Sequence, residues 1–419
     1  MKKALALDAL FESARLLTGA TSAIYLGSKG VGLATLAELK MIQCVAGFLL
    51  ELPTGLAADV FGKRKALMLS AIAGGLAFLF YRLGNGFSAF VVGELLTALC
   101  LALWSGAYEA FALEQGSNAR STGELSRFFH LNSALNSGAT VMSGVFGGWI
   151  ASKHPDLPYE LSAFGMLLIP VVLGLGFRSL KSADLTAQKS EVKGPQSFVA
   201  TIYGFNQKLW SQGESTMAWL KGSAEARHLF LCSLAVQALI QPMIYCWQPW
   251  FEKISDHSSA TSLGAVFGTF QLSLLVAGSV AARLMRSPQG RKFLAQPILW
   301  LGFAGFSYGF SKAGATPLGL ALFCGAEACM ALSLSAFKAR LAETCPAQIR
   351  ASAFSALALG GRVAGFVSLG GVFLMLRSSL SLAHVYLGTA VGALIFAFAL
   401  GARERRLDDG LDGELQLGR

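Results

Sequence analysis

Charge is scarce in this chain. Of 419 residues, 14% are Asp, Glu, Lys or Arg, while 54% are hydrophobic and the mean hydropathy is +0.54. A soluble domain carries about 25% charged residues, so an ordinary water-soluble globule is excluded. Paired cysteines are also lacking: the seven (Cys44, Cys100, Cys232, Cys246, Cys324, Cys329 and Cys345) lie in or beside apolar stretches, without metal-ligand or disulfide-framework spacing. No Gly-x-x-x-x-Gly-Lys-(Ser/Thr) loop, His-Glu-x-x-His or paired Cys-x-x-Cys occurs and there is no convincing nucleophile elbow, so an ATP-driven pump is unsupported and no metal, cofactor or catalytic spacing stands out. The net charge of +10 is scattered between apolar blocks rather than massed on one segment, which excludes nucleic acid as the expected partner.

Apolar length is what the chain has in excess. A helix needs about 20 apolar residues to cross a bilayer. Blocks of that order fall near 5–27, 33–57, 66–86, 88–112, 128–152 and 158–178, then near 228–251, 262–284, 294–312, 315–338, 350–376 and 382–402. The spacing predicts an all-α polytopic membrane protein with twelve transmembrane helices in two pseudo-symmetric six-helix bundles. Its expected segments are a first bundle at 1–178, a linker at 179–227, a second bundle at 228–402 and a tail at 403–419. The N-terminus lacks a cleavage site and reads as a retained first helix. In the linker, Phe198, Ile202, Phe205 and Leu209 recur at helical spacing among lysines, which predicts a short helix lying on the membrane surface.

Cytoplasmic loops hold the excess of Lys and Arg. With both termini inside, 25 of the 34 basic residues fall on the cytoplasmic side and seven outside, Lys40 counted among the latter. The two others, Arg15 and Arg362, lie within spans. The expected setting is a multi-pass protein of a bacterial inner (plasma) membrane with both termini in the cytoplasm.

The halves are weakly alike at an offset near 220. Ile24-Tyr25 matches Ile244-Tyr245, and Ser133-Ala134-Leu135 matches Ser355-Ala356-Leu357. The loop after the second block, from Gly55 through Asp59 and Gly62 to Lys63-Arg64-Lys65, has a degenerate counterpart from Gly278 to Gly290-Arg291-Lys292. This loop resembles motif A of the major facilitator superfamily. The resemblance implies two bundles moving around a central site. It makes Asp59 the acid of a cytoplasmic gate, gives Lys63 and Arg64 its basic positions, and lets Gly55 and Gly62 permit tight turns. Val60 stands where a basic residue is common in the family. Ser143-Gly144-Val-Phe-Gly147-Gly148 in the fifth helix is similar to an antiporter signature without its proline, which tilts the reading towards export; close helix packing explains the same glycines.

Ionisable groups inside a span cost at least about 2.5–3.5 kcal/mol on insertion scales, so each should face a cavity or a partner. Asp8, Glu12 and Arg15 share one face of the first helix, and Glu12 can pair with Arg15 at i, i+3. That pair resembles proton-coupling arrangements in the superfamily. Glu12 is expected to carry the proton, Arg15 to tune it or bind an anionic group, and Asp8 to relay; a static ion pair is the alternative. Glu327 and Arg362 should lie near the midplane, pairing with each other or with Arg15 and Glu12. Gln237 and Gln241, with Asn132 and Asn136, offer hydrogen-bonding groups for a substrate cavity or for interhelical packing. Glu51 is expected beside the bases of the motif A loop, and Glu94 in the outer part of the fourth helix.

The expected function is a secondary active transporter that exports a small amphipathic or charged organic molecule in exchange for protons. Proton-coupled import or uniport is the second reading. A channel or intramembrane enzyme fits less well, because charges in both halves suit alternating access better than a continuous pore. The partners are therefore a small-molecule substrate, protons and the lipid bilayer.

Overall fold

The computed structural model of the protein describes residues 2–114, 122–176, 213–254, 260–346 and 349–417, and every regular element in them is helical. Helices satisfy their own backbone polar groups, the requirement for any chain crossing hydrocarbon. The first half holds α1 (Lys2–Leu16), α2 (Ser22–Ser28), α3 (Leu33–Phe61), α4 (Lys63–Leu83), α5 (Phe87–Glu114), α6 (Thr122–Lys153) and α7 (Leu157–Gly176). A helix at 213–222, α8, precedes the second half. There follow α9 (Ala224–Ile254), α10 (Ala260–Leu284), α11 (Pro288–Ala295), α12 (Pro297–Ala313), α13 (Pro317–Thr344), α14 (Arg350–Arg377) and α15 (Leu382–Leu417). Nine helices among the described residues are long and apolar enough to cross a membrane. The α1–α2 pair, α6 and α12 pack beside them.

Local chemistry sets several boundaries. Pro288, Pro297 and Pro317 open their helices in the first turn, where the missing N–H is not needed. Ser287 and Thr316 cap α11 and α13 by accepting from the N–H groups of Gly290 (3.0 Å) and Gly319 (3.1 Å). Gly62, at φ +91°, makes the turn from α3 to α4, a conformation that side chains resist. Gly55, expected at a turn, instead lies inside α3, so the loop begins later than the motif implies. Arg64 donates to the carbonyls of Leu173 (2.6 Å) and Gly174 (3.1 Å), placing a cation on the C-terminal end of α7.

The first predicted span is not one helix. Around Gly19 the chain turns between Leu16 and Ser22, with Gly19 N–H bonded to Leu16 O and Thr21 N–H to Thr18 O. Periodicity gave no sign of the break, because the flanking residues stay apolar. Lys40, counted with the outer loop in the sequence, is also corrected: it lies well inside α3, where an acid holds it. At the other end, α15 runs as helix through Leu417, beyond the expected start of the tail. The Phe198–Leu209 segment and the Asp59 side chain lie outside the described residues.

Within the first bundle α4 packs on α5 and α7, α3 on α5, and α1 on α6 and α7; in the second, α12 packs on α13 and α15, and α9 on α13 and α14. Each bundle has its own core, one around Phe11, Trp104 and Tyr159 and one around Trp300, Phe303, Phe323 and Tyr386. Phe164 and Phe398 are 67% and 72% exposed, a liability in water but a fitting surface for lipid.

The bundles meet along two seams, α6 against α10 and α3 against α14. The close approaches lie towards the face away from the termini. Gly144 and Gly148 meet Phe267, Ala260 and Gly264, while Met41, Cys44 and Gly47 meet Gly370, Gly365 and Arg362.

Candidate functional site

Between the bundles lies a cavity of about 440 Å³. The break in the first span, with α3, α4 and α5, supplies one wall, and α9, α10, α13 and α14 supply the other. Ordinary small-molecule sites span roughly 300–1,000 Å³, so the volume suits an organic ligand. Arg15, Lys40, Glu94, Glu327 and Arg362 lie on its surface among the rings of Tyr81, Tyr245, Trp247, Phe267 and Phe270.

The expected pair in the first helix is formed: Arg15 Nη2 lies 2.6 Å from Glu12 Oε2, both side chains being partly exposed. Lys40 Nζ is 2.7 Å from Glu94 Oε1, and the Glu94 side chain is fully buried. Arg362 Nη2 is 4.0 Å from Glu51 Oε2 across the seam between α3 and α14. Two pairings therefore differ from expectation. Glu51 faces Arg362 rather than the motif A bases, because α3 continues past it for ten more residues. Glu327 joins neither Arg362 nor Glu12: it is fully buried, with neither carboxyl oxygen hydrogen-bonded among the described residues.

Asp8 has a different role in the geometry from its neighbours. It is buried and accepts from Trp104 Nε1 at 2.8 Å, Asn132 Nδ2 at 2.8 Å and Asn136 Nδ2 at 2.6 Å. The Tyr108 hydroxyl, 3.0 Å from Asn132 Oδ1, also lies 3.1 Å from the Ala4 carbonyl. The amides of the fifth span thus tie α6 to α1 through Asp8. Replacing Asp8 with Asn would set a third amide among these groups and remove the charge from the acceptor of the three donors. Hydrogen bonds to charged groups contribute about 1.5–3 kcal/mol, so Asp8→Asn is expected to destabilise the protein by about 2 kcal/mol. The denaturation midpoint in detergent reports it, and an unchanged midpoint would remove Asp8 as a tie between these helices.

Gln237 and Gln241 lie on the packed face between α9 and α14. A Cβ at Gly361 would stand 2.0 Å from Gln237 Oε1, and one at Gly365 would stand 3.5 Å from Gln241 Nε2. The glutamine that does reach across the bundles is Gln248. Its Nε2 donates to Gly19 O at 2.7 Å and its Oε1 accepts from Ala23 N–H at 2.8 Å, so one side chain from α9 satisfies the broken backbone of the other bundle. The sequence reading passed over Gln248; a polar residue in the aromatic run from Tyr245 to Phe251 was the available signal.

The short α2 is held from the side. Tyr25 stacks on Tyr159 at 4.1 Å and donates to Asp156 at 2.7 Å, while Arg82 pairs with Asp156 (3.4 Å) and Glu160 (2.9 Å). Lys29, in the turn after α2, donates to the Arg82 carbonyl at 2.5 Å. Burial pushes its ammonium below the usual lysine range, with the nearby Asp156 charge opposing that shift.

A family model described as the Major Facilitator Superfamily matches residues 13–369. No curated protein sequence matches. Among solved structures, the nucleoside transporter NupG is 15% identical with a TM-score of 0.70, covering 96% of this chain and 99% of that one. A peptide transporter, POT, in complex with sulfate is 16% identical with a TM-score of 0.70, covering 96% and 94%. A D-xylose-proton symporter is 14% identical with a TM-score of 0.66, covering 95% of each. At these identities the likeness establishes the fold.

Proposed function

The chain belongs to the major facilitator superfamily, and from that premise we propose that it is a proton-coupled secondary transporter exporting a small amphipathic or charged organic molecule. The observation that supports this reading best is the cavity itself. Both bundles line it, and it is sealed towards one face by the glycine seam and by Gln248. Rocking the bundles about such a site exchanges access between the two sides. With the termini in the cytoplasm, as the basic residues favour, the sealed face is the outer one and this state receives solute from inside. The segment from Gly55 to Arg64, with Asp59 as its acid, is then the cytoplasmic gate that closes in the opposite state.

In this reading the Glu12–Arg15 pair carries the coupling. Arg15 borders the cavity and both members of the pair are partly exposed, so a solute entering beside Arg15 loosens its hold on Glu12 and frees that carboxyl to exchange a proton. Asp8 fixes the helix that presents the pair. Gln237, Gln241, Asn132 and Asn136 act by holding helix positions, while Glu327 and Arg362 meet the solute.

The test is solute-dependent collapse of an imposed pH gradient in proteoliposomes, scanned over a panel of amphipathic cations, anions and neutral molecules. Wild type is expected to move protons with at least one of them, and Glu12→Gln to abolish that flux while leaving solute binding in place. Solute transport that ignores the gradient in wild type overturns the coupling and favours uniport.

A further inference from the structure

Three cations stand in or beside the cavity and each has an acid opposite: Arg15 with Glu12, Lys40 with Glu94, and Arg362 with Glu51. One charged side chain is left over. Glu327, on α13, lies on the cavity wall with no exposed area, and both its oxygens lack a hydrogen-bond partner among the described residues. Buried polar groups are nearly always satisfied, and an isolated buried carboxylate is among the costliest exceptions. Its oxygens have no exposed area, so a ligand reaches them by displacing the side chains that cover Glu327 on the cavity wall.

The pairing decides the sign of what can enter. An anion would compete with the acid that faces each cation, at 2.6 Å from Arg15, 2.7 Å from Lys40 and 4.0 Å from Arg362, and would then have to tolerate Glu327. A cation parts no ion pair and supplies a partner that Glu327 lacks among the described residues. The walls add to that preference: Tyr81, Tyr245, Trp247, Phe267 and Phe270 border the same space, and aromatic faces attract cations while their area shelters an apolar body. We infer that the ligand of this cavity is an organic cation with an aromatic or similarly apolar body, its charged centre seated against the Glu327 carboxylate. This deepens the reading of the cavity as the transport site and rests on it for the purpose of binding.

Cation and proton then compete for one carboxylate. The titratable groups within electrostatic reach of Glu327 are the Cys324 thiol one turn earlier on α13 and the Tyr386 phenol of α15, which itself lies near Cys246 of α9. Of the other helices packed against α13, α10 carries no acid or base before Arg283, and α12 carries Tyr308 and Lys312 in its last turns.

The experiment is equilibrium binding to the purified full-length protein in detergent, using tetraphenylphosphonium as the probe and tetraphenylborate as its counterpart of the same shape and opposite charge. Tetraphenylphosphonium is expected to bind wild type, to bind Glu327→Gln at least ten-fold more weakly, and to bind Glu327→Asp within a few-fold of wild type. Tetraphenylborate is expected to bind none of them. If Glu327→Gln does not yield a well-folded protein by gel filtration, wild type alone still decides: it should bind tetraphenylphosphonium and not tetraphenylborate. Absence of tetraphenylphosphonium binding to wild type, equal binding by well-folded Glu327→Gln, or tetraphenylborate binding that Arg362→Gln removes would each overturn the inference. Failure of the transport reading looks different. Glu327-dependent binding of cations that no gradient moves across proteoliposomes overturns transport and leaves the binding site standing. Transport of an anion or neutral solute that ignores Glu327→Gln overturns the cation site and leaves transport standing.

Discussion

Gly148→Val is expected to force open the face of the protein away from its termini, the outer face in the proposed orientation. A Cβ at Gly148 would lie 2.5 Å from the Ala260 carbonyl oxygen and 2.6 Å from Gly264 Cα. Both atoms are backbone of the opposite bundle, so no rotamer change relieves the clash; α6 and α10 must separate. Overpacking of this kind costs about 1–3 kcal/mol, and a branched side chain against backbone belongs at the upper end. At about 1.4 kcal/mol per factor of ten, 3 kcal/mol shifts the ratio of closed to open outer face by about a hundred-fold. Because the clash exists where the bundles touch, it penalises the closed state and leaves the open one alone. Spin labels at Lys153 and Thr261, on the exposed outer ends of the two helices in a cysteine-free background, would read the change as a longer distance. A distance distribution identical to that of the parent would show that this seam does not control the outer face. Gln248→Leu removes the two hydrogen bonds that close the same side and should move the distribution in the same direction by a smaller amount.

The second large effect concerns stability. Lys40→Met keeps the apolar stem and removes the ammonium that stands 2.7 Å from Glu94, whose side chain has no exposed area and whose second oxygen has no partner among the described residues. Removing one member of a buried ion pair costs about 3–5 kcal/mol, because the charge left behind keeps its desolvation penalty and loses its compensation. The single variant is expected to denature in detergent at a markedly lower midpoint. The double variant Lys40→Met with Glu94→Gln should recover most of that loss, since no charge remains to be compensated. A double variant no more stable than the single one would point to packing of the lysine stem as the source. Lys40 Nζ also stands 6.0 Å from the Tyr245 ring centroid, so part of the loss should appear as weaker contact between the bundles.

Both predictions turn on residues whose types were visible in the sequence but whose partners were not. The glycines at 144, 147 and 148 read equally as a family signature or as packing, and the structure gives the packing partners: Phe267 for Gly144, Leu17 for Gly147, and Ala260 with Gly264 for Gly148. The Glu12–Arg15 pair was legible because helical spacing alone brings i and i+3 together. Asp8, one turn earlier on the same face, was legible as a buried acid but not as the acceptor of three donors from α5 and α6, since those are 96 to 128 residues away. The pairs Lys40–Glu94 and Glu51–Arg362 escaped for the same reason.

By itself the sequence determined the class of solvent, the all-helical architecture, the division into two related halves and the short list of charges that lipid would not tolerate. Each follows from local quantities: apolar length against bilayer thickness, helical periodicity, and the cost of an ion in hydrocarbon. Only the tertiary structure decided which charges neutralise one another, where the first span breaks, which glutamine mends the break, and that Glu327 has no partner among the described residues. Those outcomes depend on which faces of distant helices meet. Spacing along one helix fixes the direction of a side chain about its own axis, but the neighbour it points at is set by packing over the whole pair of bundles.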